Sequence, residues 1–116
     1  MAKAKILLAE DDITMVSLLK TLLKMEGFEV AALDTGSDVP AEVGHQRPDI
    51  LFLDVHFGNQ SGVEIIQAIR KDKNLSDLRV VMTSGMSMQE ECMRAGANGF
   101  LLKPFSPDDL IRMLNQ

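Results

Sequence analysis

The sequence contains no tryptophan, no tyrosine and one cysteine among 116 residues. Without Trp or Tyr it lacks the usual platform for stacking a flavin ring. The lone Cys92 excludes an internal disulfide framework and any cysteine-based zinc site, and a structural role is its default. Positive charge is scarce: 12 Lys and Arg face 17 Asp and Glu, a net charge of −5. That balance argues against a dedicated nucleic-acid or anionic-membrane surface, because phosphate binding relies on clustered cations. Long apolar runs are also missing. Stretches such as Ile50 to Leu53 are far too short to span a membrane. Met1 to Lys5 is not followed by a signal-peptide core before Glu10. There is no Pro/Ser tract, charge block or internal repeat. The expectation is a compact, reduced, cytoplasmic protein forming a single domain over residues 1–116.

What is present is an alternation of short apolar runs and longer amphipathic stretches. Ile6-Leu7-Leu8-Ala9 is the first run, and Val16, Leu19, Leu22 and Leu23 then mark a helix over about 13–25 that stops at Gly27. Phe28 to Leu33 is the second run. A weaker helix over about 37–46 follows, disturbed by Pro40 and Gly44. Ile50 to Leu53 is the third run. Ser61 and Glu64 stand at capping-box spacing before a helix carrying Val63, Ile66 and Ile69. Val80 to Met82 is the fourth run, and Ser87 with Glu90 gives a second capping box before a short helix ending near Gly96. Phe100 to Leu102 is the fifth run. Ser106-Pro107-Asp108-Asp109 then has a cap residue, a first-turn proline and acids at the positive end of the helix dipole. Five strand–helix units with strands apolar throughout imply a parallel α/β sheet covered by helices on both faces.

In such sheets ligands bind beyond the carboxyl ends of the strands. Glu10, Asp11 and Asp12 follow the first run, Asp54 the third, Thr83 and Ser84 the fourth, and Lys103 the fifth. Each has an ordinary explanation alone: a helix cap for Asp12, a turn for Ser84, a surface charge for Lys103. Together they place carboxylates, a hydroxyl and an ammonium at one edge. Hard oxygen ligands of this kind suit Mg²⁺, and a lone lysine can hold an anionic oxygen.

At these residues the chain resembles the receiver domain of bacterial response regulators, in the chemotaxis-regulator-like form. The resemblance runs from Ile6 to about Leu114. It rests on Ile6 to Asp12, on Pro48 to Asp54 with Gly62 eight residues later, on Met82-Thr83-Ser84-Gly85, and on Ala95-Gly96-Ala97 leading to Lys103-Pro104-Phe105. It implies a doubly wound five-stranded parallel sheet of flavodoxin-like order 2-1-3-4-5. It implies a two-component signalling switch rather than a metabolic enzyme, catalysing only its own phosphotransfer and dephosphorylation. By position, Asp54 is the implied phospho-acceptor. Glu10, Asp11, Asp54 and the His56 backbone carbonyl are the implied Mg²⁺ ligands. Lys103 is the implied phosphoryl contact, Ser84 the switch hydroxyl with Thr83 as runner-up, and Phe100 the switch aromatic. The implied partners are a sensor histidine kinase or phosphotransfer protein and a downstream output protein or domain, with no direct nucleic-acid or membrane binding. A homodimer through the fourth-helix face stays open, as does a longer regulator containing this segment.

Departures are visible too. The family commonly has Met-Pro three and four residues after the acceptor, where this chain has Phe57-Gly58, so Val55 to Gly62 is expected to be looser. His56 has two readings, a tuner of dephosphorylation or an exposed loop histidine. The stretch from Ser84 to Ala95 is about two residues short of the chemotaxis regulator. Met86 and Met88 offer adaptable contacts near the switch loop. Three rivals remain. A flavin protein of the same topology would want a phosphate cradle where this chain has three acids. An aspartyl phosphatase or mutase would want its nucleophile after the first strand. A degenerate receiver would bind partners without phosphorylation.

Overall fold

The computed structural model describes residues 4–116, so the reading of Met1 to Lys3 lies outside it. Five parallel strands form the sheet: β1 (Lys5–Ala9), β2 (Glu29–Ala32), β3 (Ile50–Asp54), β4 (Arg79–Ser84) and β5 (Gly99–Leu102). Their order is β2-β1-β3-β4-β5, the flavodoxin-like winding. Four helices connect them, α1 (Ile13–Met25), α2 (Val39–Gln46), α3 (Gly62–Lys71) and α4 (Gln89–Ala95), and α5 (Pro107–Leu114) follows β5. No helix among the described residues is long and apolar enough to cross a membrane.

The unbroken hydrophobicity of the strands follows from two cores. Leu7, Leu51, Leu53, Val80 and Met82 point to one side and pack with Val39 and Val43 of α2, Ile66 and Ile69 of α3, and Cys92 of α4. Their neighbours Ile6, Leu8, Ile50, Phe52 and Val81 point to the other side, with Leu19 and Leu23 of α1 and Leu110 and Leu114 of α5. A strand has a side-chain period of two, so burying both faces requires apolar residues at every position.

Most helix starts agree with their sequence signals. Asp12, Ser61 and Ser106 accept hydrogen bonds from the N–H groups of Met15, Glu64 and Asp109 at 3.0, 3.3 and 3.1 Å. Two expectations are corrected. Pro40 does not disturb α2, because it sits in the first turn, where its missing N–H has no intrahelical partner to lose. Ser87 does not cap α4: the helix begins one residue later, Met88 holds the cap position, and no side chain caps it. The short α4 is held instead by burial of Cys92 and by its left-handed stop at Gly96.

Arg70, which no sequence signal singled out, ties the far end of the sheet together. Its guanidinium donates to the carbonyls of Gly96 (2.9 Å), Ser76 (2.9 Å) and Leu78 (2.6 Å) and to Asn98 Oδ1 (2.9 Å). Burial lowers its pKa, which Asp77 partly counters, and the side chain remains an obligate cation. Arg70→Met keeps much of the stem and strands these carbonyls. The urea midpoint should fall by the equivalent of about 2 kcal/mol with the slope unchanged. A change within about 0.5 kcal/mol would show that solvent replaces the guanidinium freely.

Candidate functional site

The carboxyl edge of the sheet brings the predicted groups together. β3 pairs with β4 through Asp54 opposite Thr83, and β4 with β5 through Ser84 opposite Leu102. The Lys103 N–H then donates to the Ser84 carbonyl at 2.8 Å. Glu10 directly follows β1, the neighbour of β3. Parallel register thus delivers an acid, an acid, a hydroxyl and a lysine from four adjacent strands to one place. The Lys103–Pro104 bond is cis. Phe105 anchors the segment after it, packing edge-on against Phe52 with ring centroids 5.9 Å apart.

Lys103 Nζ lies 2.6 Å from Asp54 Oδ2 and 2.7 Å from Glu10 Oε1. The Asp54 contact is a true hydrogen bond. The Glu10 contact is a close ion pair: Oε1 is shut off from solvent, with the ammonium beside it outside regular hydrogen-bond geometry. Burial raises the Glu10 pKa, with the Asp54 charge adding to the rise, while Lys103 and the Asp12 N–H pull it down without prevailing. For Lys103, burial alone would lower the pKa; contact with the two carboxylates outweighs it, and the net shift is upward. The signs give opposite pH behaviour. Lys103 stabilises the fold at neutral pH, and that contribution disappears only as pH climbs through its raised pKa. Glu10 favours the fold while protonated, and stability falls as pH rises from the ordinary carboxylate range through its raised value.

Asp11 is exposed beside them, and ligand oxygens of Glu10, Asp11 and Asp54 lie within 4.8 Å of one another. With Lys103 included, the formal charge of the cluster is two negative units. Three hard oxygen donors, one of them a buried oxygen without a hydrogen bond, and a twofold negative charge fit a small divalent cation such as Mg²⁺.

The two candidate hydroxyls separate clearly. Thr83 is fully buried, and its Oγ1 donates to the Leu101 carbonyl at 2.8 Å. Ser84 Oγ, at the end of β4, accepts from the Met86 N–H at 3.1 Å and lies 3.9 Å from Met88 Sδ. Of the two, Ser84 is the one linked to the loop into α4. Phe100 is half-buried and packs, with Met88, against the core beneath α3 and α4. His56 is exposed, and its N–H donates to Asp54 Oδ1 at 2.9 Å. Asp12 caps α1, as its ordinary explanation has it, and its N–H donates to Glu10 Oε2 at 3.1 Å.

The segment after Asp54 is tighter than its sequence suggested. His56–Phe57 pairs antiparallel with Gln60–Ser61, and Phe57 is completely buried in the core. Gly58, at φ +59°, makes the turn and donates its N–H to Asp11 Oδ2 at 3.0 Å. Gly62 is required for closeness, since a Cβ there would collide with the Asp54 carbonyl oxygen. A readable signal existed: Gly-Asn between two short segments is a hairpin dipeptide with glycine at the left-handed position.

Residues 6–115 match the family model described as the response regulator receiver domain. The chain is 30% identical over 117 residues to the chemotaxis protein CheY of Thermotoga maritima, spanning 97% of this chain and 95% of that protein. It is 27% identical over 112 residues to the DNA-binding response regulator MtrA of Mycolicibacterium paratuberculosis, covering 94% of this chain but 48% of that protein. It therefore spans about half the length of the MtrA relatives it matches. Among solved structures it resembles the receiver domain of the sensor histidine kinase PA1611 from Pseudomonas aeruginosa, described with a magnesium ion coordinated in its active-site cleft. That likeness has a TM-score of 0.86 and 26% identity and covers 98% of this chain and 96% of that one. An α/β sheet of this winding, an acidic cluster at its carboxyl edge and a family match over almost the whole length lead to one conclusion: the chain belongs to the response regulator receiver domains of two-component signalling.

Proposed function

We propose that residues 1–116 act as one phosphorylation-controlled switch in which Asp54 accepts a phosphoryl group from the phosphohistidine of a partner kinase or phosphotransfer protein. The observation that carries this reading is the convergence of Asp54, Glu10 and Lys103 within direct contact at the carboxyl edge, with Asp11 beside them. Glu10, Asp11, Asp54 and the His56 carbonyl would hold Mg²⁺, which neutralises phosphoryl oxygens and aids in-line transfer. An Asp54 carboxylate oxygen attacks phosphorus, the P–N bond to the donor imidazole breaks, and the imidazole leaves with that bond's electron pair and takes up a proton. Lys103 passes from the Asp54 carboxylate to a phosphoryl oxygen. Water later attacks the acyl phosphate and regenerates Asp54 and inorganic phosphate.

The same site supports the switch. A new phosphoryl oxygen competes for the Ser84 hydroxyl, which now turns back toward Met86 and Met88. Drawing Ser84 inward pulls on the loop that carries Met88 and biases the α4–β5 face, where Phe100 sits, toward a second arrangement. The output is altered affinity for a downstream protein or domain, in the cytoplasm where kinase and regulator meet.

The test is intact-mass measurement after incubation with acetyl phosphate. One phosphoryl adduct that requires Mg²⁺ is expected. No adduct, under conditions that label a control receiver, would replace this reading with a phosphorylation-independent binding module. A second expectation concerns pH. The Glu10 carboxyl is raised mainly by burial, so protons compete with Mg²⁺ above the ordinary carboxylate range. Calorimetric Mg²⁺ affinity should rise by up to about tenfold per pH unit until Glu10 is ionised, then level. A flat profile across that range would remove Glu10 from the ligand set.

A further inference from the structure

Two residues on each side of a turn cannot hold a hairpin by themselves. The His56–Phe57/Gln60–Ser61 pair nevertheless sets two donors on the acidic cluster: His56 N–H on Asp54 Oδ1 and Gly58 N–H on Asp11 Oδ2. Phe57 anchors its base in the core. Its tip needs another support, and Gln60 supplies one. The Gln60 side-chain amide donates to the Thr35 carbonyl at 2.8 Å and to the Ser37 carbonyl at 2.9 Å. Both carbonyls belong to the loop between β2 and α2. These are the hairpin's side-chain hydrogen bonds to that loop among the described residues, and they use both amide hydrogens. The turn itself lies flat on the same loop: a Cβ on Gly58 would fall 2.8 Å from Thr35 Cβ.

From this geometry we infer that Gln60 is a positioning residue for Asp11. By clamping the hairpin tip to the β2–α2 loop, it holds the Gly58 N–H where it fixes one oxygen of the exposed Asp11 carboxylate. The other oxygen is then left aimed at the cluster with Glu10 and Asp54. Among the described residues, the exposed Asp11 carboxylate takes its hydrogen bond from the Gly58 N–H, so its orientation depends on that donor. The inference rests on the proposed Mg²⁺ role of that cluster. Its reach is binding of the cation rather than the transfer step, since Asp54 is also held by Lys103, which lies outside the hairpin.

Gln60→Met keeps the length and stem of the side chain without its donors, and Gln60→Ala removes both. Calorimetric titration with MgCl₂ should show affinity weakened about tenfold in either variant, the lower end of what outer-shell partners of metal ligands contribute. In acetyl-phosphate labelling the Mg²⁺ needed for half-maximal rate should rise by a similar factor, while the rate at saturating Mg²⁺ stays within about twofold. Amide exchange at Gly58 should quicken. A purely structural Gln60 would lower the melting temperature and leave the Mg²⁺ requirement alone. Wild-type Mg²⁺ affinity and Gly58 protection in both variants would overturn the clamp while leaving the phospho-switch intact. Failure of the wild-type chain itself to bind Mg²⁺ at millimolar concentration would overturn both.

Discussion

Asp54→Asn should abolish the phosphoryl adduct formed from acetyl phosphate, while leaving the fold in place. An amide is a poor nucleophile toward phosphorus, and the acyl phosphate needs a carboxylate oxygen. The side chain is nearly isosteric, so the His56 N–H retains an oxygen to donate to. The Lys103 contact at 2.6 Å loses its charge partner. Lys103 keeps Glu10, and the two then form a simple pair. Intact-mass measurement should show at least about a hundredfold loss of adduct, with circular dichroism unchanged. A persisting adduct of equal amount on the variant would place the acceptor elsewhere. Mapping the modified peptide would then show whether Asp11, the exposed neighbour, had taken the group.

Lys103→Met has the largest expected effect on stability, and the effect depends on the cation. The ammonium is the counter-ion of two buried carboxylates. Removing one partner leaves uncompensated charge, which costs about 3 kcal/mol in sites of this kind, or about 10 °C in melting temperature. In EDTA the variant should melt correspondingly lower. The deficit should shrink as pH falls. Without Lys103 the Glu10 pKa, already raised by burial, rises further, and a proton takes over as the neutralising charge. Saturating Mg²⁺ should restore much of the loss through binding to the native state. The phosphoryl adduct should form slowly, because the charge proposed to receive a phosphoryl oxygen is gone. Equal melting of variant and wild type in EDTA would show that solvent already screens the pair.

These predictions share one electrostatic premise. Before any cation or phosphoryl group arrives, the site is held by an internal lysine that gives incomplete satisfaction. It hydrogen-bonds Asp54, while Glu10 Oε1 gains charge contact without a regular hydrogen bond. A cluster satisfied in full by its own side chains would have little reason to bind a cation. This one retains a buried oxygen without a regular hydrogen bond and an exposed carboxylate within reach of it.

The sequence by itself determined the doubly covered parallel sheet and which groups gather at its carboxyl edge. Strands apolar at every position require two covered faces, and Leu7 and Leu8 do lie in different cores. Parallel crossovers put every strand's carboxyl end on one edge, so Glu10, Asp54, Ser84 and Lys103 were legible as a group from their places after apolar runs. Local capping was equally legible wherever one side chain serves one N–H, as at Asp12, Ser61 and Ser106. The tertiary structure decided what depends on contacts distant in sequence. It separated Thr83, committed to the Leu101 carbonyl, from Ser84. It turned Phe57-Gly58 from an expected loose loop into a buried anchor and a turn. It tied Gln60 to carbonyls more than twenty residues earlier and Arg70 to carbonyls on two loops. The physical reason is common to all of these. Backbone carbonyls are present at every residue and carry no sequence mark, so a side chain that binds them is invisible until the chain folds. Periodicity and capping operate over a few residues and can be read from order alone.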